Sequence, residues 1–210
     1  MFIKIIQISL LVLFLKNVNG HGMMLNPPGR SSVWRFYDGY PTNYNDNELF
    51  CGGGLTSTET VSNCGICGDS LELPRPRPNE NTGTYGQGKI VAEYTMGQVI
   101  DVSVTLTSNH KGTFEYSLCV LEDADQMESG DECFQPLTFE DGSSKFVVQS
   151  TISKFENRVQ LPDDVTCDRC VLRWHYRTGN SWGQCPDGTW ATGCGIQETF
   201  RSCADISIKN

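Results

Sequence analysis

Three histidines stand in the chain: His21, His110 and His175. The first has an unusual setting. It follows the apolar run "IIQISLLVLFL", which begins after Lys4, and a short tail in which Val18 and Gly20 are small residues just before a potential cut. A charged start, a short apolar core and small residues at the cut are the marks of a secretory leader. A membrane span needs ~20 apolar residues, more than this core supplies. With residues 1–20 removed, His21 would offer an imidazole and a free α-amine from one residue, and the two can chelate one metal ion. The amine has an unperturbed pKa of about 7.7–8.0, so a metal readily displaces its proton near neutral pH. A second imidazole would complete three nitrogens, a set that suits copper(II) in tetragonal geometry. The plain alternative is that His21 is an ordinary surface residue, since any residue can follow a cut.

His110 is the better partner on facing grounds. It follows the run "VIDVSVTLTS" and precedes the turn Lys111-Gly112, and a loop at a strand end presents ligands on a rigid scaffold. His175 lies within "CVLRWHYRTG". There Leu172, Trp174 and Tyr176 share one face, and Arg173, His175 and Arg177 share the other, so His175 is expected to point outward between two cations.

Ten cysteines follow the leader: Cys51, Cys64, Cys67, Cys119, Cys133, Cys167, Cys170, Cys185, Cys194 and Cys203. An even count in an exported chain predicts five disulfides, with connectivity left open. Cys64/Cys67 and Cys167/Cys170 have CxxC spacing, but 99 residues separate the two pairs. Zinc ribbons separate theirs by about 15–20, so disulfides are favoured over zinc. The HExxH pattern of a zinc hydrolase is absent.

These groups must be positioned by what remains of 210 residues once the leader is gone. That is one domain, residues 21–210, with enough chain for a sizeable core. The net charge is −9, and loss of Lys4 and Lys16 with the leader makes it −11. Such acidity disfavours nucleic acid and anionic membrane as partners, and no second apolar run of spanning length follows. From Lys89 onward, short runs rich in β-branched and aromatic residues recur, among them "KIVAEYT", "QVIDVSVTLTS", "GTFEYSLCVL", "SKFVVQST", "NRVQL", "CVLRWHYRTG" and "ETFRSCADISI". Ile100, Val102, Val104 and Leu106 alternate with Asp101, Ser103 and Thr105. No amphipathic helix pattern competes. The pattern predicts an all-β antiparallel sandwich with long loops. "ELPRPRPNENTGTYGQGK" reads as an extended surface loop. The stretch from His21 to Leu71 has few periodic apolar positions and is not expected to fold alone.

The segments "HGMMLNPPGRSSVWRF", "NYNDNELFCGG", "CGICGD", "SNHKGTFEYSLC", "RTGNSWGQC" and "GCGIQETFRSCADI" resemble, in order and across nearly the whole mature chain, the lytic polysaccharide monooxygenases of auxiliary activity family fifteen. The resemblance implies an immunoglobulin-like, fibronectin-III-like sandwich with one copper ion in a histidine brace on a flat face. His21 matches the N-terminal brace histidine and His110 the second. Phe200 matches the axial aromatic; it cannot ligate and would close that position with an apolar ring. Alone, Phe200 would read as core. Glu198 lies two residues earlier, on the same strand face, where its carboxylate could serve the copper's outer shell; the alternative is a solvated edge carboxylate. Relatives often have Ala where this chain has Ser108, which leaves the effect of that hydroxyl open.

The resemblance thus implies a secreted, monomeric, copper-dependent oxidoreductase. It would cleave crystalline chitin or cellulose by oxidation at C1 or C4, using an external electron donor with oxygen or hydrogen peroxide. Trp34, Tyr40 and Tyr44 are candidates for stacking on sugars, with core packing favoured for Trp34. The rival reading is a non-catalytic polysaccharide-binding or structural extracellular module. Such a module has no use for a free N-terminal histidine.

Overall fold

The alternation in "VIDVSVTLT" becomes the centre of the fold: Ile100, Val102, Val104 and Leu106 are all buried, at 1%, 0%, 1% and 2% exposure. The computed structural model describes residues 21–51, 64–149 and 151–210, so the leader expected over residues 1–20 lies outside the described residues. In chain order the strands are β1 (His21–Asn26), β2 (Ala92–Thr95), β3 (Val99–Ser108), β4 (Thr113–Val120), β5 (Gln135–Pro136) and β6 (Thr138–Phe139). They continue as β7 (Phe146–Val147), β8 (Lys154–Gln160), β9 (Cys167–Arg177), β10 (Trp182–Gln184), β11 (Trp190–Thr192) and β12 (Thr199–Lys209). Among the described residues the only helical pieces are single 3₁₀ turns at Val33–Arg35 and Asp131–Cys133.

Two sheets result. One runs β1-β3-β8-β6; the other runs β2-β12-β9-β4-β5, with β7 also on β4, and β10-β11 form a separate hairpin. Each sheet turns one apolar face inward, Met24, Val104 and Phe155 from the first meeting Phe114, Trp174 and Ile206 from the second. Phe114 anchors this core, with ring centroids 5.1 Å from Phe155 and Tyr176 and 5.3 Å from Trp174. Each such fully buried side chain contributes about 1.5–3 kcal/mol. This is the expected immunoglobulin-like sandwich, with one correction. β2 joins β12 in parallel, with Ile206 opposite Ala92 and Lys209 opposite Thr95. More than a hundred residues separate these strands in the chain, so no hairpin turn fixes their relative direction.

The segments poor in apolar residues are held by other means. All ten cysteines pair: Cys51–Cys64, Cys67–Cys203, Cys119–Cys133, Cys167–Cys170 and Cys185–Cys194. The Pro-rich stretch after Leu71 has no regular structure, as expected, but it is not a simple surface loop. Arg77, Asn79, Glu80 and Asn81 are buried. Asn79 borders Arg30, whose guanidinium donates to both Asp205 carboxylate oxygens (2.9 and 2.6 Å), to Glu128 (2.6 Å) and to the Asn79 carbonyl (2.9 Å). Asn81 N–H also donates to Glu128, at 3.0 Å. A buried charge is tolerated only when paired and hydrogen-bonded, and here the pairing ties three loops to β12. Prolines in a sequence mark irregular backbone but carry no information on what a distant arginine will gather.

Candidate copper site

β1 pairs with β3 in antiparallel register, and the first residue of one meets the last of the other: His21 lies opposite Ser108. His110 follows two residues later, so the two histidines come from neighbouring strands at one end of the sandwich. Gly22 permits this approach. A Cβ there would lie 2.6 Å from Leu106 Cδ2 and 2.9 Å from Trp174 Cη2, so β1 rests directly on the core. The Gly22 N–H donates to the Asn47 carbonyl (3.0 Å), and Asn47 Nδ2 donates to Thr107 Oγ1 (3.0 Å), which brings the 43–50 loop alongside both strands.

The His110 loop is tightly fixed. Its backbone N–H donates to Tyr176 Oη at 3.0 Å, and its carbonyl accepts from Gly179 N–H at 2.9 Å. Asn109 Oδ1 accepts from Lys111 N–H at 2.8 Å, with Lys111 at φ 57°. Gly112 has φ 92°, and a Cβ there would sit 2.0 Å from the Arg177 carbonyl, so no other residue fits that turn.

The side chain is oriented as firmly. His110 Nδ1 lies 2.8 Å from Glu198 Oε2, with the two side chains only 9% and 12% exposed. A carboxylate can only accept, so Nδ1 carries the proton and Nε2 is the free basic nitrogen. Ser108 Oγ is 3.3 Å from that Nε2. His21 is more open, with a side chain 28% exposed and its Nε2 3.8 Å from Glu48 Oε1. Phe200 is wholly buried and stacks on Tyr176, with centroids 5.7 Å apart at 27°, while Phe50 packs on it tilted, with centroids 5.8 Å apart.

The donor set fits copper. Two histidines stand on neighbouring strands at one end of the fold, and the His110 ring is locked with its Nε2 turned away from Glu198. Among the described residues no group of three or more His, Cys, Asp or Glu side chains could hold a metal. A third donor from the main chain, the nitrogen of His21, would complete the set. Nothing at Phe200 can ligate.

His175 takes no part. It lies on the opposite face of β9, and it is not the solvated residue that its alternation suggests. Arg201 Nε donates to its Nδ1 at 3.2 Å. Burial, together with the Arg201 and Arg173 guanidiniums, pushes the imidazole down to about 3. The second layer that covers this face, with Ile66, Leu121, Phe134 and Val171 in its core, comes from loops that periodicity cannot place. Of the three aromatics considered for sugar contact, Trp34 is half-buried, edge-on to Tyr44 at 5.5 Å, and Tyr40 lies under Lys89 Nζ at 4.5 Å. Tyr44, 83% exposed, is the open one. Sequence reasoning missed Glu48, Asn47 and the Tyr176 hydroxyl. "NYNDNELF" offered a carboxylate near in sequence to neither histidine, and only register brings it to His21.

The structure is thus an immunoglobulin-like sandwich with His21 and His110 on neighbouring strands at one end, donors that suit copper. A family model described as lytic polysaccharide mono-oxygenase, cellulose-degrading, matches residues 21–206. Among solved structures, the chain is similar to the lytic polysaccharide monooxygenase AA15 from Thermobia domestica in the Cu(I) state. The identity is 42%, covering 90% of this chain and 98% of that one, with a TM-score of 0.84. It shares its fold with the cellulose-active monooxygenase CelS2 in complex with copper, at 15% identity, 89% and 98% coverage and a TM-score of 0.52. No curated protein sequence matches. The chain belongs to the lytic polysaccharide monooxygenases, within auxiliary activity family fifteen. It is a copper-dependent oxidoreductase that cleaves polysaccharide oxidatively, with one copper ion, an electron donor and oxygen or hydrogen peroxide as co-substrate. The non-catalytic module is thereby set aside. Enzymes of this family are generally extracellular.

Proposed function

We propose that residues 1–20 are a secretory leader, that cleavage after Gly20 creates the His21 α-amine, and that residues 21–210 act as a secreted monomer on crystalline chitin or cellulose. The His21 amine and imidazole and the His110 Nε2 would hold the copper. The register of His21 against Ser108, with His110 Nδ1 fixed by Glu198, carries this reading. Copper supplies one-electron redox chemistry, by which oxygen or peroxide is activated and a C–H bond at C1 or C4 of a sugar is broken.

The protein's own groups do the rest. Glu198 holds the Nδ1 proton of His110 and so keeps Nε2 basic and aimed. Its carboxylate could also accept or return a proton at the site. Phe200, wholly buried against Tyr176 and Phe50, would offer a bound copper an apolar ring and no oxygen ligand. Glu48 stands beside the outer edge of His21. Tyr44, on the loop hydrogen-bonded to β1, is exposed for contact with a sugar.

The test is an alanine inserted before His21, on protein verified by mass to begin at the intended residue. The native chain should bind one copper tightly, with an axial, nitrogen-coupled electron paramagnetic resonance spectrum, and release oxidised oligosaccharides. The extended chain keeps both imidazoles but moves the amine. It should lose tight binding and that spectrum. Unchanged affinity in the extended chain would refute the brace.

A further inference from the structure

The loop of residues 43–50 carries a carboxylate that the proposed ligands do not include. Glu48 Oε1 lies 3.8 Å from His21 Nε2, and among the described residues no arginine or lysine pairs with it. The loop is fixed in that place. Arg35 donates through Nη2 to Asp46 Oδ1 (2.9 Å) and through Nε to Asp46 Oδ2, and the Asp46 side chain is fully buried. A buried carboxylate is costly to leave unpaired, so this pair anchors the loop on the 3₁₀ turn that ends at Arg35. Glu48 N–H donates to the Asn45 carbonyl (3.0 Å), and the Glu48 carbonyl accepts from Phe50 N–H (2.6 Å). Beyond it, Cys51 N–H donates to the Thr199 carbonyl (2.9 Å), and Phe50 bridges to Phe200 on β12. With Asn47 bound to β1 and β3, the backbone of Glu48 is held from both sides, and its side chain stands 53% exposed beside His21.

Elementary chelate chemistry says which nitrogen of His21 is left to face it. The α-amine and the imidazole Nδ1 of one histidine can close a compact ring with a metal ion, whereas Nε2 lies on the far side of the imidazole. When Nδ1 ligates, the ring proton resides on Nε2, and Nε2 is the atom beside Glu48. At His110 the roles are exchanged: Nδ1 faces Glu198, and Nε2 is left to ligate. Each imidazole thus has a carboxylate at the nitrogen that the proposed brace does not use. A separation of 3.8 Å is too long for a direct hydrogen bond. It is short enough for charge to act, or for one water to bridge. A carboxylate behind a ligating histidine raises the basicity of the ring. Its negative charge also favours the more highly charged state of a bound ion, here copper(II) over copper(I).

We propose that Glu48 is the charge partner of His21, the counterpart of Glu198 at His110, and that it strengthens copper(II) binding and lowers the copper(II)/copper(I) reduction potential. The inference rests on the brace proposed above and adds the residue that sets its preference between the two oxidation states.

The test uses the native, Glu48→Gln and Glu48→Ala chains, each verified by mass to begin at His21. Competitive titrations with copper(II) and copper(I), the reduction potential of the bound ion, its electron paramagnetic resonance spectrum and thermal unfolding of the metal-free chains are measured together. Glu48→Ala should bind copper(II) roughly tenfold more weakly, the lower end of the range for a lost partner of a ligating histidine, because this carboxylate is half-exposed. Copper(I) affinity should change little, so the potential should rise by about 59 mV, the equivalent of tenfold for one electron. Glu48→Gln keeps an acceptor without the charge and should fall between the other two on both readings. Unfolding of the metal-free chains should be the same. Equal potentials in all three chains, with one tightly bound copper and an axial spectrum in the native one, overturn the role of Glu48 and leave the brace standing. A native chain with neither tight binding nor that spectrum overturns the brace and this inference with it. Equal loss of affinity for both oxidation states, at unchanged potential, makes Glu48 a prop for the loop and overturns its role as charge partner, as does an affinity loss that tracks a fall in unfolding temperature. Weaker adsorption of Glu48→Ala to chitin or cellulose powder at unchanged potential makes Glu48 a substrate contact, and the inference is then wrong.

Discussion

Replacing Glu198 probes the part of the site that does not depend on the leader. The carboxylate lies 2.8 Å from His110 Nδ1, and both side chains are nearly enclosed, at 12% and 9% exposure. A charge-assisted hydrogen bond in that setting is roughly twice as strong as a neutral one. It also selects the tautomer that leaves Nε2 available. Loss of such a partner to a metal-ligating histidine typically lowers metal affinity or activity about 10–100-fold, or about 1.4–2.8 kcal/mol. Glu198→Ala should fall toward the upper end of that range, since it removes the acceptor and leaves His110 free to turn. Glu198→Gln keeps an acceptor without the charge and should fall near the lower end. The assay is a competitive copper titration on chains verified to begin at His21, with thermal unfolding of the metal-free protein as a control. Equal copper affinity in all three chains would refute the claim that Glu198 positions His110. A drop in affinity matched by a collapse of the apo fold would refute it as well, because the effect would then be structural.

Two further perturbations separate geometry from charge. Gly22→Ala places a Cβ 2.6 Å from Leu106 Cδ2 and 2.9 Å from Trp174 Cη2; such overpacking should cost about 1–3 kcal/mol and weaken copper binding by lifting His21 from its register, read by denaturant unfolding and copper titration. His175 is held neutral by burial and by Arg201 and Arg173, with Asp131 opposing and Lys145 adding to the effect; its folded pKa of about 3 lies below its unfolded value of about 6.5, so the stability it permits is complete above pH 6.5 and is lost as pH falls toward 3, by up to about 1.4 kcal/mol per pH unit for one proton. His175→Gln, which does not titrate, should flatten that part of the curve in pH-dependent unfolding, and an unchanged slope would count against a buried neutral imidazole.

The sandwich was legible because its strands state their faces. β3 alternates over Ile100, Val102, Val104 and Leu106, and every one of these is core. β9 announces its two sides through Trp174 and Tyr176 against Arg173 and His175. What alternation could not supply was the second layer. Arg173, His175 and Arg201 look like an outward, solvated face, and they become half-buried or buried only because loops with no periodicity fold over them. Those loops are held by Cys67–Cys203 and by Arg30 with Asp205 and Glu128, contacts that join residues up to 175 positions apart. The parallel pairing of β2 with β12 was hidden for the same reason. β1 itself went unread, since "HGMMLN" is short and its glycine argues against a strand, yet that glycine is what lets β1 reach Trp174.

The site divides along the same line. His21 and His110 stand out because chemistry selects them: one would add an amine to an imidazole once the proposed leader is removed, and the other sits at a strand end. Their meeting needs the register of β1 on β3, and a one-residue slip would turn His21 to the other side of the sheet. Gly22 and the Asn47 loop prevent that slip, through a close approach to Leu106 and Trp174 on one side and a backbone hydrogen bond on the other. The resemblance pointed to Glu198 and Phe200, but it did not say that the glutamate grips the histidine ring from behind or that Tyr176 joins the ring below to the His110 backbone. The identity of the proposed ligands is thus written in residue type, whereas their placement is written in a glycine, a register and a set of loop contacts. It follows that substitutions at Gly22 or Glu198 should disturb copper binding while leaving every ligand in place.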